Sequence, residues 1–230
     1  MKLAPIDWRQ IERVFLDMDG TLLDLHFDSH FWMHHVPTRY AERHGLDFKA
    51  AKDEVMGRYK KMEGRLEWYC IDHWSEMLDL DIALLKEEVD HLIAVHPHVL
   101  EFLELLKKVG KRRVLVTNAH QKALQLKMDR TPLAGHLDAV VCAHDLRVAK
   151  EAPSFWRKLQ RIEPFDPRHT LFVDDSLSVL TSAKNYGFSH LLAITKPDSQ
   201  EPIRQINQFP SIKDFSELIP GLQRIAAVPR

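Results

Sequence analysis

The chain has 230 residues, of which 45% are hydrophobic and 28% are charged, a composition typical of a folded globular protein and not of a disordered or collagen-like chain. Its 32 lysines and arginines nearly balance its 33 aspartates and glutamates, and the net charge of -1 argues against binding to nucleic acid or to a membrane surface. The length suits one core domain that carries a sizeable insertion.

The first predicted element is a short strand at residues 14–16, which is apolar throughout. The next stretch, residues 27–95, contains no convincing strand and is predicted to form four helices. They cover residues 29–43 with a kink at Pro37, residues from an N-cap at Asp47 to near Gly64, residues 67–78, and residues from Asp81 onward. Because one helix is enough to connect two parallel strands, the extra helices predict an inserted cap domain at 27–95.

From residue 96 onward, short apolar runs alternate with helical patterns. The runs at 113–117, 139–143, 170–173 and 191–195 are apolar throughout, which indicates strands that are covered on both faces. Helical spacing occupies 99–109, 155–162 and 177–186. This order predicts an α/β fold with a doubly wound, Rossmann-like parallel sheet. The core would comprise residues 1–26 and 96–230, with a last short element near 209–218 and a frayed end.

The two cysteines, Cys70 and Cys142, are too few for a disulfide framework, and both are expected to be buried free thiols. Free thiols suit a reducing compartment, so we expect a cytoplasmic protein. The first residues, MKLAPIDWRQIERVFLD, lack the apolar run of a signal peptide, and no window approaches the length of a membrane span.

Acidic clusters follow two of the predicted strands, at the edge of the sheet where a doubly wound fold binds its ligands. The segment 17–21, DMDGT, offers two carboxylates, a glycine for a sharp turn and a hydroxyl that can bind phosphate. The segment 174–176, DDS, follows the strand at 170–173. A turn and a helix cap could explain each segment separately. Four carboxylates at one edge would repel each other, however, and Mg²⁺ would relieve that repulsion.

Two further strand ends carry polar residues. Thr117 and Asn118 end the strand at 113–117, where a hydroxyl and the free N–H groups of the next helix can hold an anion. Lys150 follows the strand at 139–143 after a loop at 144–149, and a lysine there can hold a phosphate and an acidic nucleophile. Taken singly, such a threonine is usually a helix cap and such a lysine is usually solvated.

Together, DMDGT at 17–21, Thr117, Lys150 and the aspartates at 174–175 resemble the haloacid dehalogenase-like superfamily of phosphohydrolases. The resemblance covers residues 10–26 and 96–200, and the helices at 27–95 match the helical cap of that family. One departure is Ala149-Lys150-Glu151, where the family usually has Gly-Lys-Pro. A narrower similarity, to the bacterial GMP/IMP 5′-nucleotidase branch, rests on DMDGTLLDLHFD, LEWYCIDHWSEMLDLDI, VTNAH, KEAPSFW and TLFVDDS.

The resemblance implies a phosphomonoesterase in which Asp17 attacks phosphorus to form an aspartyl-phosphate, and Asp19 acts as general acid and then as general base. It also implies a phosphate site and a metal site. The phosphate would contact Thr21, Thr117, Asn118 and Lys150. Mg²⁺, which Mn²⁺ or Co²⁺ could replace, would be bound by Asp17, the backbone carbonyl of Asp19, Asp175, and Asp174 directly or through water.

The implied substrate is a purine 5′-nucleotide, GMP or IMP, hydrolysed to nucleoside and phosphate. Trp68 and Tyr69 on a cap helix could stack on the base, or they could form the core of the cap. A sugar-phosphate or phosphoglycolate phosphatase, a phosphomutase and a non-catalytic binding scaffold remain alternatives, whereas Asp19 and the acidic cluster argue against a dehalogenase. The sequence indicates no oligomeric state. His26, His30, His34 and His35 lack a ligand that would complete a metal site and are not expected to form one.

Overall fold

The computed structural model describes residues 6–227 and has one six-stranded sheet. The strands are β1 Arg13–Leu16, β2 Arg112–Thr117, β3 Ala139–Cys142, β4 Thr170–Asp174, β5 His190–Ile194 and β6 Ser211–Ile212. Their order is β3-β2-β1-β4-β5-β6, and every neighbouring pair is parallel. This is the strand order of a doubly wound sheet, which reverses direction between β1 and β4. The predicted fold class is confirmed.

Helices lie between the strands along the chain. Those between β1 and β2 are α1 His26–His30, a π-helical turn Phe31–His35, α2 Val36–His44, α3 Phe48–Met62, a 3₁₀ turn Leu66–Tyr69, α4 Ile71–Leu78, α5 Ile82–Glu88, a 3₁₀ turn Asp90–Leu92 and α6 Val99–Lys108. Those after β2 are α7 Gln121–Arg130, a 3₁₀ turn Pro132–His136, α8 Ala143–Leu146, α9 Pro153–Ile162, α10 Leu177–Tyr186, a 3₁₀ turn Phe215–Glu217 and α11 Ile219–Ala226.

Successive residues of β1 point into two separate cores, one on each face of the sheet. Val14 and Leu16 pack with residues of α6 and α11, whereas Phe15 packs with residues of α9 and α10. All three side chains are fully buried. Because both faces are covered, no position in the strand needs a polar side chain, which explains the uniformly apolar sequence of β1.

The helices at 26–92, here called the helical insertion, bury a third core of their own. Phe27, Tyr59, Trp74 and Ile82 are among its buried members, and Ala123 of α7 packs against them from the sheet side of the molecule. A core of aromatic and aliphatic side chains gives the helical insertion its own source of stability.

The first helix of the helical insertion differs from the prediction. It begins at His26 rather than at residue 29, and a π-helical turn at Phe31–His35 leads into α2 with helical backbone angles at Val36 (φ −59°, ψ −48°), while the kink at Pro37 stays a prediction. Pro37 lies in the first turn of α2, where a missing N–H costs little.

Residues 67–78 do not form the single helix that was predicted. The chain makes the 3₁₀ turn, becomes extended at Cys70 (φ −85°, ψ 111°) and then starts α4. The Cys70 Sγ accepts a hydrogen bond of 3.5 Å from the backbone N of His73 and so caps α4. Trp68 and Tyr69 therefore lie on the 3₁₀ turn. Cys70 is half-buried rather than buried, whereas Cys142 is buried as predicted.

The predicted loop at 144–149 begins inside the short helix α8. Residues 1–5 and 228–230 lie outside the described residues. The sequence analysis assigns both segments to the core and expects no signal peptide in the first and a frayed end in the second. Within residues 6–227, no helix combines the length and the apolarity needed to cross a membrane.

Candidate active site

Three aspartates meet where β1 and β4 end. The two strands are neighbours, and Leu16 of β1 pairs with Val173 of β4. The residues that follow are therefore adjacent, and carboxylate oxygens of Asp17, Asp174 and Asp175 lie within 4.8 Å of one another. The sequence analysis predicts four carboxylates at this edge; Asp17, Asp174 and Asp175 come together there, whereas Asp19 does not belong to the cluster.

Lys150 reaches this cluster from the loop after α8. Its Nζ donates hydrogen bonds to Asp17 Oδ1, to Asp174 Oδ2 at 2.8 Å and to the Val116 backbone carbonyl at 3.1 Å. Only 2% of the Lys150 side chain is exposed, so these contacts replace its hydration. The lysine stabilises the charge on two acids at once.

The carboxylates carry more negative charge than Lys150 neutralises. Burial raises the pKa of Asp17 to about 7; the Lys150 ammonium opposes this shift, and the Asp174 carboxylate adds to it. Burial also raises the pKa of Asp174 to about 6 and that of Asp175 to about 7. Clustered hard oxygen donors with uncompensated charge fit a divalent cation such as Mg²⁺.

Gly20 allows the DMDGT loop to approach Asp175. Its φ of +81° lies in the left-handed region, and a Cβ at this position would be 2.8 Å from Asp175 Cγ. Any other residue would therefore be strained and would displace the acid. Arg204, which the sequence analysis did not single out, donates to Asp175 Oδ2 at 3.2 Å from the loop after β5.

A second ion network holds Asp19. Lys127 Nζ donates to Asp19 Oδ1 and to Asp28 Oδ2, both at 2.6 Å, and Lys86 Nζ donates to Asp28 Oδ1 at 2.8 Å. Burial raises the pKa of Asp19, and Lys127 opposes the shift. Burial alone would also raise the pKa of Asp28, but the two lysines outweigh it and lower that pKa. The network joins the loop after β1, helix α7 and two helices of the helical insertion.

The sequence analysis missed Lys86, Lys127 and Asp28. A weak signal exists, because Lys127 stands four residues after Ala123 and Lys86 four residues after Ile82, both buried positions on their helices. Each lysine thus lies on the apolar face of its helix. Because a buried lysine almost always has an acidic partner, this position predicts a carboxylate nearby.

The predicted phosphate-binding residues have different surroundings. Thr117 and Asn118 line the same cavity as Lys150, whereas Thr21 does not line it. Thr21 is buried, and its Oγ1 has no hydrogen-bond partner among residues 6–227. The Thr117 Oγ1 accepts from the backbone N of Ala119 at 3.0 Å, which leaves its O–H free to donate.

Glu151, one of the two residues at which the chain departs from the Gly-Lys-Pro pattern, organises the loop around Lys150. It accepts from Asn118 Nδ2 at 3.0 Å and from the Tyr69 hydroxyl at 2.7 Å. Asn118 Oδ1 in turn accepts from the backbone N of Lys150 at 2.9 Å. The carboxylate therefore connects the 3₁₀ turn of the helical insertion to the loops that follow β2 and β3.

A cavity of about 380 Å³ contains the acidic cluster, a size that suits a small-molecule ligand. Its polar lining comes from the strand ends, and its aromatic lining comes from the helical insertion. The aromatic residues are Trp32, Tyr59, Trp68, Tyr69 and Trp74. Trp68 also packs edge-on against Tyr59 and Trp74, with ring centroids 6.0 and 6.5 Å apart. Both predicted specificity residues thus line the cavity, and Trp68 also belongs to the packing of the helical insertion.

Two groups of metal-ligand side chains occur among residues 6–227. One is the cluster of Asp17, Asp174 and Asp175, and the other comprises Cys70, His120 and His144. Neither includes His26, His30, His34 or His35; His30 instead has the rings of His26 and His34 at centroid distances of 6.1 and 5.7 Å.

Comparison with known proteins places this site in a family. Residues 11–187 match the family model described as haloacid dehalogenase-like hydrolase. The chain belongs to this family. The family and the hydrolase class predicted from the sequence are confirmed.

Similar proteins in the family include a curated enzyme and solved structures. The chain is 37% identical over 217 residues to GMP/IMP nucleotidase YrfG from Escherichia coli K12, which covers 94% of this chain and 98% of the relative. The crystal structure of a HAD phosphatase from Thermococcus onnurineus superposes with a TM-score of 0.74 at 22% identity, covering 90% and 96% of the two chains. A putative β-phosphoglucomutase from Thermotoga maritima gives a TM-score of 0.65 at 20% identity, covering 93% and 99%. The structural likenesses support the fold.

Proposed function

We propose that this hydrolase is a Mg²⁺-dependent phosphomonoesterase that forms an aspartyl-phosphate at Asp17 and acts on purine 5′-nucleotides, GMP and IMP above all. The observation that carries the proposal is the convergence of Asp17, Asp174 and Asp175 around Lys150 in a cavity with aromatic walls. The identity to a GMP/IMP nucleotidase supports the substrate class.

Asp17 is the nucleophile in this proposal. Lys150 binds its Oδ1, which leaves Oδ2 to attack phosphorus. A bond forms between Oδ2 and phosphorus, and the bond from phosphorus to the 5′ oxygen breaks. Lys150 keeps the attacking carboxylate ionised and offsets charge on the transferring phosphoryl group.

Asp19 is the general acid and then the general base. Lys127 holds Oδ1, so the other oxygen is left to carry the proton. Burial raises the pKa of Asp19, which favours the protonated form that the leaving alkoxide needs. After the nucleoside leaves, the Asp19 carboxylate takes a proton from the water that hydrolyses the aspartyl-phosphate.

The proposed metal site consists of the carboxylates of Asp17 and Asp175 and the backbone carbonyl of Asp19, with Asp174 bound directly or through water. Bound Mg²⁺, or Mn²⁺ or Co²⁺ in its place, would supply positive charge next to the phosphoryl oxygens. Lys150 Nζ and the backbone N of Ser176 already bind the two oxygens of Asp174 and hold that carboxylate in place.

The phosphate site of the proposal comprises Lys150, Thr117, Asn118 and Thr21. Thr117 has a free O–H on the cavity wall, and Asn118 Nδ2 has a second hydrogen beyond the one given to Glu151. The position of Thr21 outside the cavity lining makes it the weakest member of the set.

We assign base recognition to residues 27–95, which act as a cap over the strand ends. The groups at the strand ends recognise phosphate and metal, which every phosphomonoester shares. Trp68 and Tyr69 place aromatic surface on the cavity wall and are the residues proposed to stack on the purine. The Tyr69 hydroxyl holds that ring against Glu151 of the core.

The experiment that tests this function measures phosphate release from GMP, IMP, AMP, glucose 6-phosphate and phosphoglycolate, each with Mg²⁺ and with EDTA. We expect the highest kcat/KM for GMP and IMP, loss of turnover in EDTA and recovery when Mg²⁺ is added. A preference for glucose 6-phosphate or phosphoglycolate would contradict the nucleotide assignment but keep the chemistry. Isomerised sugar phosphate without phosphate release would indicate a phosphomutase, and no turnover of any phosphoester would indicate a binding scaffold.

A further inference from the structure

A second cluster of metal-ligand side chains lies where the helical insertion meets the sheet core. It comprises Cys70, which links the 3₁₀ turn to α4, His120, which precedes α7, and His144 on α8. One sulfur or ring nitrogen from each residue lies within 4.8 Å of the other two. The mechanism proposed above uses none of the three.

We propose that Cys70, His120 and His144 form a zinc site that ties the helical insertion to the sheet core. Thiolate sulfur and imidazole nitrogen are the ligands that Zn²⁺ prefers, and the clustered acids by contrast offer only oxygen. With Zn–S at about 2.3 Å and Zn–N at about 2.0 Å, tetrahedral ligand atoms are about 3.5 Å apart. The three atoms already lie within 4.8 Å of one another and would have to move closer to bind one ion, with water in the fourth position.

The backbone brings the two histidines together. Strands β2 and β3 are parallel neighbours in which Thr117 pairs with Cys142, so the segments that follow leave the sheet side by side. The rings of His120 and His144 are 4.9 Å apart between centroids, with an interplanar angle of 79°. The turn of chain between Tyr69 and α4 then places Cys70 beside them.

His144 has a ring nitrogen available for a metal ion. Its Nε2 is buried without a hydrogen-bond partner among residues 6–227. In the neutral ring with its proton on Nδ1, Nε2 carries a free lone pair, which is the form of histidine that binds metals.

Cys70 lies directly before α4. The thiol is half-buried, and the backbone N–H of His73 in the first turn of α4 donates to Sγ. Deprotonated, this sulfur is the form of cysteine that binds zinc. Metal binding would release the thiol proton to solvent.

His120 has to give up one weak contact to bind metal. Its Nδ1 accepts from the backbone N of Lys122 at 3.3 Å, and its Nε2 lies 3.7 Å from Asp72, which Lys122 Nζ holds at 2.6 Å. Binding through Nε2 requires the ring proton at Nδ1 and so replaces that long hydrogen bond. Burial lowers the pKa of both His120 and His144, so the rings are neutral near pH 7.

Cobalt spectroscopy tests the site without relying on enzyme activity. The protein, freed of transition metals and kept in excess Mg²⁺, is titrated with Co²⁺ while absorbance is recorded, and Zn²⁺ is then added. We expect one Co²⁺ per chain, intense visible bands of tetrahedral cobalt and a near-ultraviolet thiolate charge-transfer band, all abolished by Zn²⁺. Cobalt at an oxygen-only site of aspartates would give no thiolate band, which separates this site from the proposed active site.

The chain provides a matched control, because Cys142, its second cysteine, does not belong to the cluster. Cys70→Ser should abolish the charge-transfer band, whereas Cys142→Ser should keep it. His144→Gln, which retains both thiols, should weaken Co²⁺ binding at least about tenfold. Zn²⁺ should raise the Tm of the wild type and of Cys142→Ser, but not of Cys70→Ser. A folded wild type without a saturable thiolate band, or a band that survives Cys70→Ser, would overturn the proposal.

Discussion

Asp17 and Asp19 are two residues apart, yet different lysines bind them. Lys150 binds Asp17 together with Asp174, whereas Lys127 binds Asp19 together with Asp28. The first lysine belongs to the acidic cluster at the strand ends, and the second connects Asp19 to the helical insertion. In the proposed mechanism, this separation lets Asp17 act as the nucleophile and Asp19 as the proton donor.

At the residue scale, the role of Asp19 leads to a prediction that depends on the leaving group. Asp19→Asn retains an oxygen for Lys127 but has no proton to give to the alkoxide of a nucleotide. We expect the first step with GMP to slow by about 10²–10⁴-fold, the usual contribution of general acid catalysis. The same step with p-nitrophenyl phosphate should slow far less, because nitrophenolate leaves without a proton.

Burst-phase kinetics with both substrates check this prediction, because hydrolysis of the aspartyl-phosphate can limit steady-state turnover in the variant. Equal losses in the burst rate for GMP and p-nitrophenyl phosphate would show that Asp19 is not the acid.

The sequence analysis located the residues that follow strands and missed those that reach the site from elsewhere. Asp17 and Asp174 could be placed because the ends of parallel strands share one edge of the sheet. Lys127 comes from a helix 108 positions beyond Asp19, and Glu151 gains its role only through Tyr69, 82 positions before it. Such long-range contacts depend on how the helical insertion packs, which local patterns do not encode.

At the scale of elements, helices α1 and α5 meet around Asp28. Lys86 and Asp28 join the two helices, and the Lys86 ammonium lies 4.3 Å from the centroid of the Phe31 ring. Lys127 joins both to α7 of the core. Only 3% of the Lys86 side chain and 2% of the Lys127 side chain are exposed, so water cannot replace the carboxylate.

We therefore predict that Asp28→Asn lowers the free energy of unfolding by about 3 kcal/mol, as expected when a buried ion pair loses one partner. Urea denaturation measures the change. Asp79→Asn is the matched control, since Asp79 pairs with Arg43 on the exposed surface of the helical insertion and asparagine tolerates its left-handed backbone. It should cost less than about 1 kcal/mol. Equal effects of the two substitutions would contradict a buried role for Asp28.

The 3₁₀ turn at Leu66–Tyr69 is the element to which we assign base recognition. Trp68→Ala combined with Tyr69→Ala should reduce kcat/KM for GMP and IMP by an amount corresponding to about 1–3 kcal/mol, the value of stacking on a base. Small phosphoesters such as p-nitrophenyl phosphate should be affected much less. Steady-state kinetics on GMP, AMP and p-nitrophenyl phosphate give the comparison.

Two controls separate recognition from packing. Tyr69→Phe keeps the ring and removes only the hydroxyl that binds Glu151. Thermal melting shows whether the double variant remains folded, which matters because Trp68 packs on Trp74. If a stably folded double variant keeps the preference of the wild type for GMP over AMP, this turn does not recognise the base.

Element boundaries were predictable where a local signal marks them. The side chains of Asp47 and Asp81 cap α3 and α5, as their sequence positions indicate. Each accepts a hydrogen bond from the backbone N–H three residues further along the chain. The break at Cys70 was missed because cysteine is a rare N-cap. The π-helical turn before Pro37 was missed because its hydrogen bonds leave no mark in the spacing of apolar residues.

At the scale of the whole molecule, the buried acids link stability to pH and to metal. Their pKa values are raised from an ordinary 3.8 to about 7 for Asp17 and Asp175 and about 6 for Asp174. Between about pH 4 and about pH 7, the folded protein therefore holds protons on these acids that the unfolded chain has lost. Because the folded state binds more protons, the free energy of unfolding of the metal-free protein falls as pH rises from about 4 to about 7. Asp28, whose pKa is lowered, loses its contribution only at more acidic pH.

We predict that Mg²⁺ raises the Tm more at pH 8 than at pH 5. At pH 8 the three carboxylates are ionised and need a cation, whereas at pH 5 protons compete with the metal for them. Thermal melting with Mg²⁺ and with EDTA at both pH values gives the comparison. Taking the difference in Tm between the Mg²⁺ and EDTA samples at each pH cancels the contribution of histidines, which titrate in the same pH range. An equal Mg²⁺ effect at both pH values would contradict metal binding by these acids.

The central claim is that Asp17 carries the phosphoryl group, and chemical trapping tests it most directly. The enzyme is quenched with acid during turnover of GMP in Mg²⁺, reduced with borohydride and digested for mass spectrometry, with Asp17→Asn treated in parallel. We predict that borohydride converts the trapped aspartyl-phosphate at position 17 to homoserine, and that the variant shows neither this product nor turnover. Turnover of GMP with residue 17 unmodified, or a phosphoryl group trapped on another side chain, would contradict the account.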